Sequence, residues 1–462
     1  MQTIRLIQLW GTITALGLAP LFFGSVDQIW VVIWTVVLSV CTISSLASDA
    51  ELTPRQRRIL LGFLLLCGAY VLAAVAQVVP HFIDQLNDPI WQRANALLGL
   101  ETPPRISSRA ELTPVAIGHF LLVVTSFASG FFIGTSRSNS DVLIACTRFL
   151  ILLYAIYGLA ALAFTPNMLL WVPKLAYPGS LTASFVNHNT AATFVGAGAI
   201  LWFCSAFRTG QSLKFLSFRV LLLMPSHERI AFRLILRASA GLICFFALLL
   251  TRSRGGLICA SLGLVVAIGL MLASTFKPRF WLFLGAVGVA LTATLVWLSG
   301  VGRIGSEGVF DDGRWSVYKY CIDAIRERPL LGVGAGTFAD LFPSLRTHEF
   351  DMGGVWEHAH STILEIFFEM GIPVGILVVI GASASLVLLG VNVNKSKDSA
   401  TPAAIAGIAV LSYLHSLIDF SLQIPGYLIM FWTLLGCGLA RSSDGQPLIR
   451  RTSSRGLGGR QV

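Results

Sequence analysis

The sequence predicts an all-α polytopic membrane protein, and three observations carry that expectation. Mean hydropathy is +0.76 and charged residues make up only 12% of the chain, a composition soluble domains do not reach. Apolar runs of about 20 residues recur along the chain, the length a helix needs to cross the hydrocarbon core. The strict apolar–polar alternation of a membrane β-barrel is missing.

Taken in order, about twelve spans are expected, near 6–24, 29–47, 59–79, 114–134, 142–164, 190–206, 235–251, 256–274, 280–299, 361–390, 403–418 and 425–440. The first apolar run, Ile4 to Phe23, has Arg5 but no Ala-x-Ala-like exit, and a second span follows at once. It reads as an uncleaved first helix rather than a signal peptide. The tenth is long, so it is expected to tilt or to end in a helical extension.

Net charge is +10, but the basic residues do not gather into a nucleic-acid groove. They fall mostly in every second loop: Arg55, Arg57 and Arg58; Arg137; Arg208, Lys214, Arg219, Arg229 and Arg233; Lys277 and Arg279; Lys395 and Lys397; then Arg441, Arg450, Arg451, Arg455 and Arg460. That is the positive-inside pattern, and it places both termini in the cytoplasm. The other side holds segments 80–113, 165–189 and 300–360, the last rich in Asp and Glu. The stretch 207–237 alternates Arg with Phe and Leu, as an interfacial helix on anionic lipid would. Three parts are expected: N-terminal helices over 1–184, a core over 185–440 that includes loop 300–360, and a disordered basic tail over 441–462. Of eight cysteines, only Cys321 falls in a polar loop, and there is no CxxC. Neither a disulfide framework nor a zinc site is expected.

The chemistry-bearing residues lie mostly in the second half. Arg252 and Arg254 interrupt the apolar run from Leu234 to Met271 in the hinge Thr251-Arg-Ser-Arg-Gly-Gly256. A cation at bilayer depth faces protein, water or a ligand, and the glycines allow a sharp turn. After Asp311-Asp312-Gly313, the residues Trp315, Tyr318, Ile322 and Ile325 recur at helical spacing. This predicts an amphipathic helix capped by Asp312 and stopped by Pro329, its apolar face on the membrane or the bundle. Arg314 in its first turn opposes the helix dipole unless an anion is near, and simple surface placement is the alternative. The run Gly332-Val-Gly-Ala-Gly336-Thr337 has neither dinucleotide-binding nor P-loop spacing. It reads as a tight turn, with a phosphate nest as the weaker option.

Glu357-His358-Ala-His360-Ser361 opens the tenth span. A metal site would need further ligands that the neighbourhood lacks. A general base is the sharper reading, because imidazole titrates near neutral pH. Glu365 and Glu369 lie one turn apart, as do His415 and Asp419, and Asn187-His188-Asn189 opens the sixth span. Such groups are functional candidates, although either pair, the glutamates above all, suits a helix–helix hydrogen bond. The topology brings all these residues to one face. Cations from several segments beside a histidine suit a phosphate-bearing donor and a hydroxyl to be deprotonated.

Several of these stretches together resemble the O-antigen ligase and polysaccharide polymerase superfamily: Ser253-Arg254-Gly255; Arg314 with Pro329-Leu-Leu-Gly-Val-Gly-Ala-Gly-Thr-Phe338; His358-Ala-His360-Ser-x-x-Leu364 with Glu369-x-Gly371-Ile372; and His415-Ser-Leu-Ile-Asp419 onward to Pro425. The resemblance covers the chain from about 185 onward. It implies twelve spans in the bacterial inner (plasma) membrane, with a large periplasmic loop between spans nine and ten. It implies transfer of glycan from an undecaprenyl-pyrophosphate carrier to an acceptor hydroxyl on a glycan, lipid A-core or protein. No metal or other cofactor is implied. By motif, Arg254 and Arg314 match the arginines that hold the pyrophosphate, and His360 matches the base. Arg252, Asn187, His188, Asn189, His358, His415 and Asp419 are the expected substrate-binding set. Ser361 stands where the family commonly has Asn, which leaves the choice between His358 and His360 open. A polymerase of surface or exopolysaccharide is the preferred expectation, ahead of a ligase or a protein glycosylase. A transporter or flippase for an anionic lipid and a noncatalytic envelope scaffold are the rivals from other classes.

Overall fold

The computed structural model describes residues 2–46, 51–80, 83–211, 225–272, 312–345, 356–393 and 399–443. Over these residues the protein is all-α, apart from a two-stranded antiparallel hairpin of β1 (Met168–Leu169) and β2 (Val172–Pro173). The helices are α1 (Gln2–Leu18), α2 (Gln28–Leu46), α3 (Pro54–Val78), α4 (Pro89–Leu98), α5 (Thr113–Gly134), α6 (Arg137–Phe164) and α7 (His188–Gln211), followed by α8 (Pro225–Leu250), α9 (Arg254–Leu272), α10 (Asp312–Glu327), α11 (Phe338–Leu345), α12 (Thr362–Val393), α13 (Ala400–His415) and α14 (Pro425–Ser442). Eight described helices are long and apolar enough to cross a membrane, so the chain is membrane-embedded. Every expected span but the ninth coincides with a helix. The ninth, 280–299, lies outside the described residues, as do 212–224 of the expected interfacial stretch and the tail beyond 443.

In a membrane, helices gain little from burying apolar surface against each other, so close backbone approach has to supply the packing. Small residues provide it here. A Cβ added at Gly130 of α5 would lie 2.0 Å from Thr433 O of α14, and one at Gly436 would lie 2.2 Å from Phe127 O. Gly263 of α9 and Gly407 of α13 face each other in the same way, each at 2.4 Å from the other's carbonyl oxygen. The central helix is α7, 83% buried over its apolar window, against which α8, α9 and α13 pack.

Alternation of direction brings the starts of α7, α9, α12 and α14 and the ends of α8 and α13 to one end of the bundle. Arg137, Arg208, Arg229, Arg233 and Arg441 lie at the other end, at or near the start of α6, the end of α7, the start of α8 and the end of α14.

Two expectations need correction. The tenth span is not one tilted helix: α12 is broken at Gly371 (φ 80°, ψ 172°), where an added Cβ would lie 2.5 Å from Leu330 O. Asp419 does not share a helical turn with His415, because α13 ends at His415. α10 forms as expected, with Val317, Cys321 and Ala324 buried against the bundle and Trp315 and Ile322 exposed. Packing on α12 selects that face, and it buries the one loop cysteine completely.

Candidate active site

The site is built around the link from α13 to α14. Asp419 is buried, and its carboxylate accepts from Asn189 Nδ2 at 2.7 Å and Ser421 Oγ at 3.1 Å. Its backbone oxygen accepts from Thr362 N at 3.3 Å, which seats the start of α12 on the link. Burial works to raise the Asp419 pKa. The imidazole of His360, then His415 and Arg314, outweigh it and hold the carboxyl at about 2.

Asn189 carries the connection onward. Its Oδ1 accepts from Ser253 Oγ at 2.7 Å, and that oxygen in turn accepts from Gly256 N at 3.1 Å. Ser253 is therefore the N-cap of α9, and Arg254 is the first residue of that helix. Arg252, with φ at +58°, makes the turn before it. Arg252 is exposed and Arg254 half-buried. Among the described residues neither has a hydrogen bond or ion pair. The next residue, Gly255, packs against the link itself: its Cβ position lies 2.7 Å from Ile418 Cδ1 and 3.7 Å from His415 Nε2.

Arg314 reaches the same link from the opposite direction in sequence, donating to Ile418 O at 3.0 Å. Both Arg254 and Arg314 sit in the first turn of a helix. Each adds positive charge where the unpaired N–H groups and the dipole are already positive, an arrangement that favours an anion.

His360 also occupies the left-handed region, with φ at +53°. A non-glycine residue is held there only when its surroundings over-determine it. Tyr318 donates to its carbonyl at 2.9 Å, and Trp356 and Phe420 meet its ring edge-on at 5.0 and 4.9 Å. Its Nδ1 is buried without a hydrogen-bond partner, 4.0 Å from Asp419 Oδ2. About a fifth of the side chain reaches solvent, so that exposure belongs to the rest of the ring. Ser361 accepts from Leu364 N at 3.3 Å and caps α12, a role Asn fills equally well.

His358 is arranged differently. It donates from Nδ1 to Glu365 at 3.1 Å and stacks on Phe420 at 4.6 Å. Burial pulls its pKa down, but the Glu365 carboxylate more than offsets that and leaves it raised. Glu365 also accepts from Ala359 N and Gln423 Nε2, both at 2.7 Å. Glu369 accepts from Gly336 N at 2.8 Å and Phe338 N at 3.0 Å. Among the described residues, these carboxylates thus tie loop backbone to the bundle rather than pairing helix with helix. The glycine run is not an open phosphate nest either. Gly336 N–H binds the Glu369 carboxylate, Gly334 N–H the Glu369 backbone oxygen, and Ala335 N–H Gln77.

Three more expected site residues are structural ties in this arrangement. His188 donates to Thr251 O at 2.9 Å beneath the ring of Tyr177, while Asn187 Oδ1 accepts from Asn189 N at 2.7 Å. His415 Nδ1 lies 3.3 Å from both Thr193 Oγ1 and Ser421 Oγ. Those hydroxyl protons have acceptors in Asn189 O and Asp419 Oδ1, so Nδ1 is the donor. Sequence reasoning placed Tyr318 on an apolar stripe and passed over Thr193, Gln77 and Gln423. Thr193 and Gln77 were legible as polar side chains inside apolar spans, but a lone hydroxyl or amide does not say what it binds. Among the described residues, no group of three His, Cys, Asp or Glu side chains could hold a metal ion.

Fold and site together define a polytopic all-α membrane protein with a buried polar centre at one end, where Arg314, His360 and His415 gather around the link that holds Asp419. Residues 239–379 match the family model described as O-Antigen ligase. Over those residues the chain is similar to that family. The match contains Arg252, Arg254, Arg314, His358 and His360, and leaves Asn187 to Asn189, His415 and Asp419 outside it. No curated protein matches the chain.

Proposed function

We propose that the protein transfers glycan from an undecaprenyl-pyrophosphate carrier to an acceptor hydroxyl at the periplasmic face of the inner membrane. We take it to be a polymerase of surface or exopolysaccharide. One observation carries this reading. The link His415–Asp419 is met by Arg314, by the turn bearing Arg254 and by His360, whose Nδ1 lies 4.0 Å from Asp419 Oδ2. The basic residues at the far end of the bundle support a periplasmic position for it. Residues 185–440 then form the catalytic core and 1–184 buttress it.

In the reaction, His360 accepts the proton of the acceptor hydroxyl as its oxygen attacks the anomeric carbon. The bond from that carbon to the phosphate oxygen breaks, and the carrier leaves as its pyrophosphate. Arg254 and Arg314 stabilise the charge that gathers there, a role suited to guanidinium forks. Attack opposite the leaving group inverts the anomeric centre. Asp419 lies beside the imidazole and stabilises its protonated form. Arg252 stands at the exposed rim for donor phosphate or sugar. Ligation to lipid A-core or to protein would use the same steps with another acceptor.

The test is single replacement of Arg254, Arg314 and His360 by Ala, with insertion verified. Each is expected to lower transfer from a purified lipid-linked donor by about 10²–10³. Products of graded length identify a polymerase, and a single addition identifies a ligase. Unchanged turnover in all three variants would end the reading. His358→Ala retains activity if His360 is the base.

A further inference from the structure

α10 sends two polar side chains from one face toward the site. Arg314 and Tyr318 stand one turn apart, so their Cβ atoms are about 5–6 Å from each other. Arg314 donates to the carbonyl of Ile418, the residue before Asp419, at 3.0 Å. The Tyr318 hydroxyl donates to the carbonyl of His360 at 2.9 Å. Asp419 Oδ2 and His360 Nδ1 lie 4.0 Å apart, and each of these two residues is thereby tied to the same turn of the same helix. The helix is fixed in its turn. Val317, Cys321 and Ala324 are buried in a cluster with Phe338, Phe342 and Phe368, and Ala359 enters that cluster as well.

His360 needs such a restraint. Its neighbours are anchored independently: Ala359 by its amide on Glu365, and Ser361 by its cap on α12. Between them His360 sits at φ +53°, a conformation that a residue with a Cβ keeps only when its surroundings hold it. With both flanks pinned, the direction of the His360 carbonyl decides how the backbone turns, and Tyr318 binds that carbonyl. Trp356 and Phe420 meet the ring only edge-on. Those contacts limit where the imidazole can go, but they do not aim its nitrogens.

We propose that Tyr318 is a positioning residue, whose hydroxyl holds the His360 backbone in the turn that presents the imidazole beside Asp419. The proposal rests on the transfer reaction assigned above, in which His360 takes the acceptor proton and Arg314 meets the donor phosphate. It adds that one helix registers the base against the phosphate site. Removing a hydroxyl that takes no part in proton transfer then slows the chemical step. A tyrosine that only tied the loop down would alter stability and leave turnover of the folded protein as it was.

Tyr318→Phe keeps the ring and removes the bond. In the purified full chain, with a lipid-linked donor, kcat should fall about tenfold, the weight of one neutral hydrogen bond, while KM stays within about twofold of the parent. In the His360→Ala background the same change should cause no further loss, because the residue it positions is gone. A second readout needs no turnover. Diethyl pyrocarbonate labelling at neutral pH, resolved to single residues by fragment-ion mass spectrometry, should modify His360 about threefold faster in Tyr318→Phe. His358, held by Glu365, should label at the parental rate. If the parent transfers no glycan, the assigned reaction falls, and the labelling still decides whether Tyr318 holds His360. Unchanged His360 labelling overturns the proposal. An unchanged kcat, a loss carried by KM, or a further loss in the His360→Ala background does so too.

Discussion

Replacing Asp419 with Asn tests the centre of the site. The carboxylate is 1% exposed, so solvent does little to screen it. Its pKa falls from an ordinary 3.8 to about 2 in the fold, which corresponds to about 2–3 kcal/mol of stabilisation at neutral pH. Asn has one acceptor oxygen where the carboxylate has two, so either Asn189 Nδ2 or Ser421 Oγ faces a second donor. The sign of the pH dependence follows from the depressed pKa. The stabilisation is complete above the ordinary carboxylate range, about pH 4, and fades as pH falls toward 2. Thermal unfolding in detergent, followed by tryptophan fluorescence, should show the variant melting several degrees below the parent near pH 7 and approaching it near pH 3. Equal melting near pH 7, or an equal gap at both pH values, would refute the reasoning.

Other perturbations separate the supporting parts. Glu369→Ala leaves the Gly336 and Phe338 N–H groups without their acceptor, at about 1–3 kcal/mol each; limited proteolysis should cut faster within 330–345, and less so in Glu369→Gln. Gly332→Ala sets a side chain at φ 66° with its Cβ 2.5 Å from the Glu369 carbonyl carbon, so little folded protein is expected by size-exclusion chromatography. The raised His358 pKa means its bridge to Glu365 stabilises fully below the ordinary imidazole pKa of about 6.5; that contribution is lost as pH climbs through the folded value. The parent should therefore show a loss of melting temperature between neutral and mildly alkaline pH that His358→Ala lacks. Ser361→Asn exchanges one good cap for another and should change stability by no more than about 0.5 kcal/mol.

The membrane class and every expected span among the described residues were legible in the sequence, because a span is a local property; the short helices α4 and α11 were not expected. About twenty apolar residues must satisfy their own backbone hydrogen bonds wherever they sit. Positive-charge alternation likewise indicated that Arg252, Arg254, Arg314, His360 and Asp419 share one face. The break at Gly371 was not legible, because Leu330 requires it from forty positions away. Nor was the buried side of α10, where two apolar stripes competed and packing on α12 chose Val317, Cys321 and Ala324.

Hydropathy and charge by themselves determined that the chain crosses a membrane repeatedly and carries cations and imidazoles at one end. Only tertiary structure decided which of those groups are spent on holding the protein together. His188, His358, His415, Glu365 and Glu369 look as reactive in sequence as His360 does. What separates them is whether a carbonyl, hydroxyl, amide or carboxylate from another helix fills the hydrogen-bonding position, and one-dimensional spacing does not contain that information.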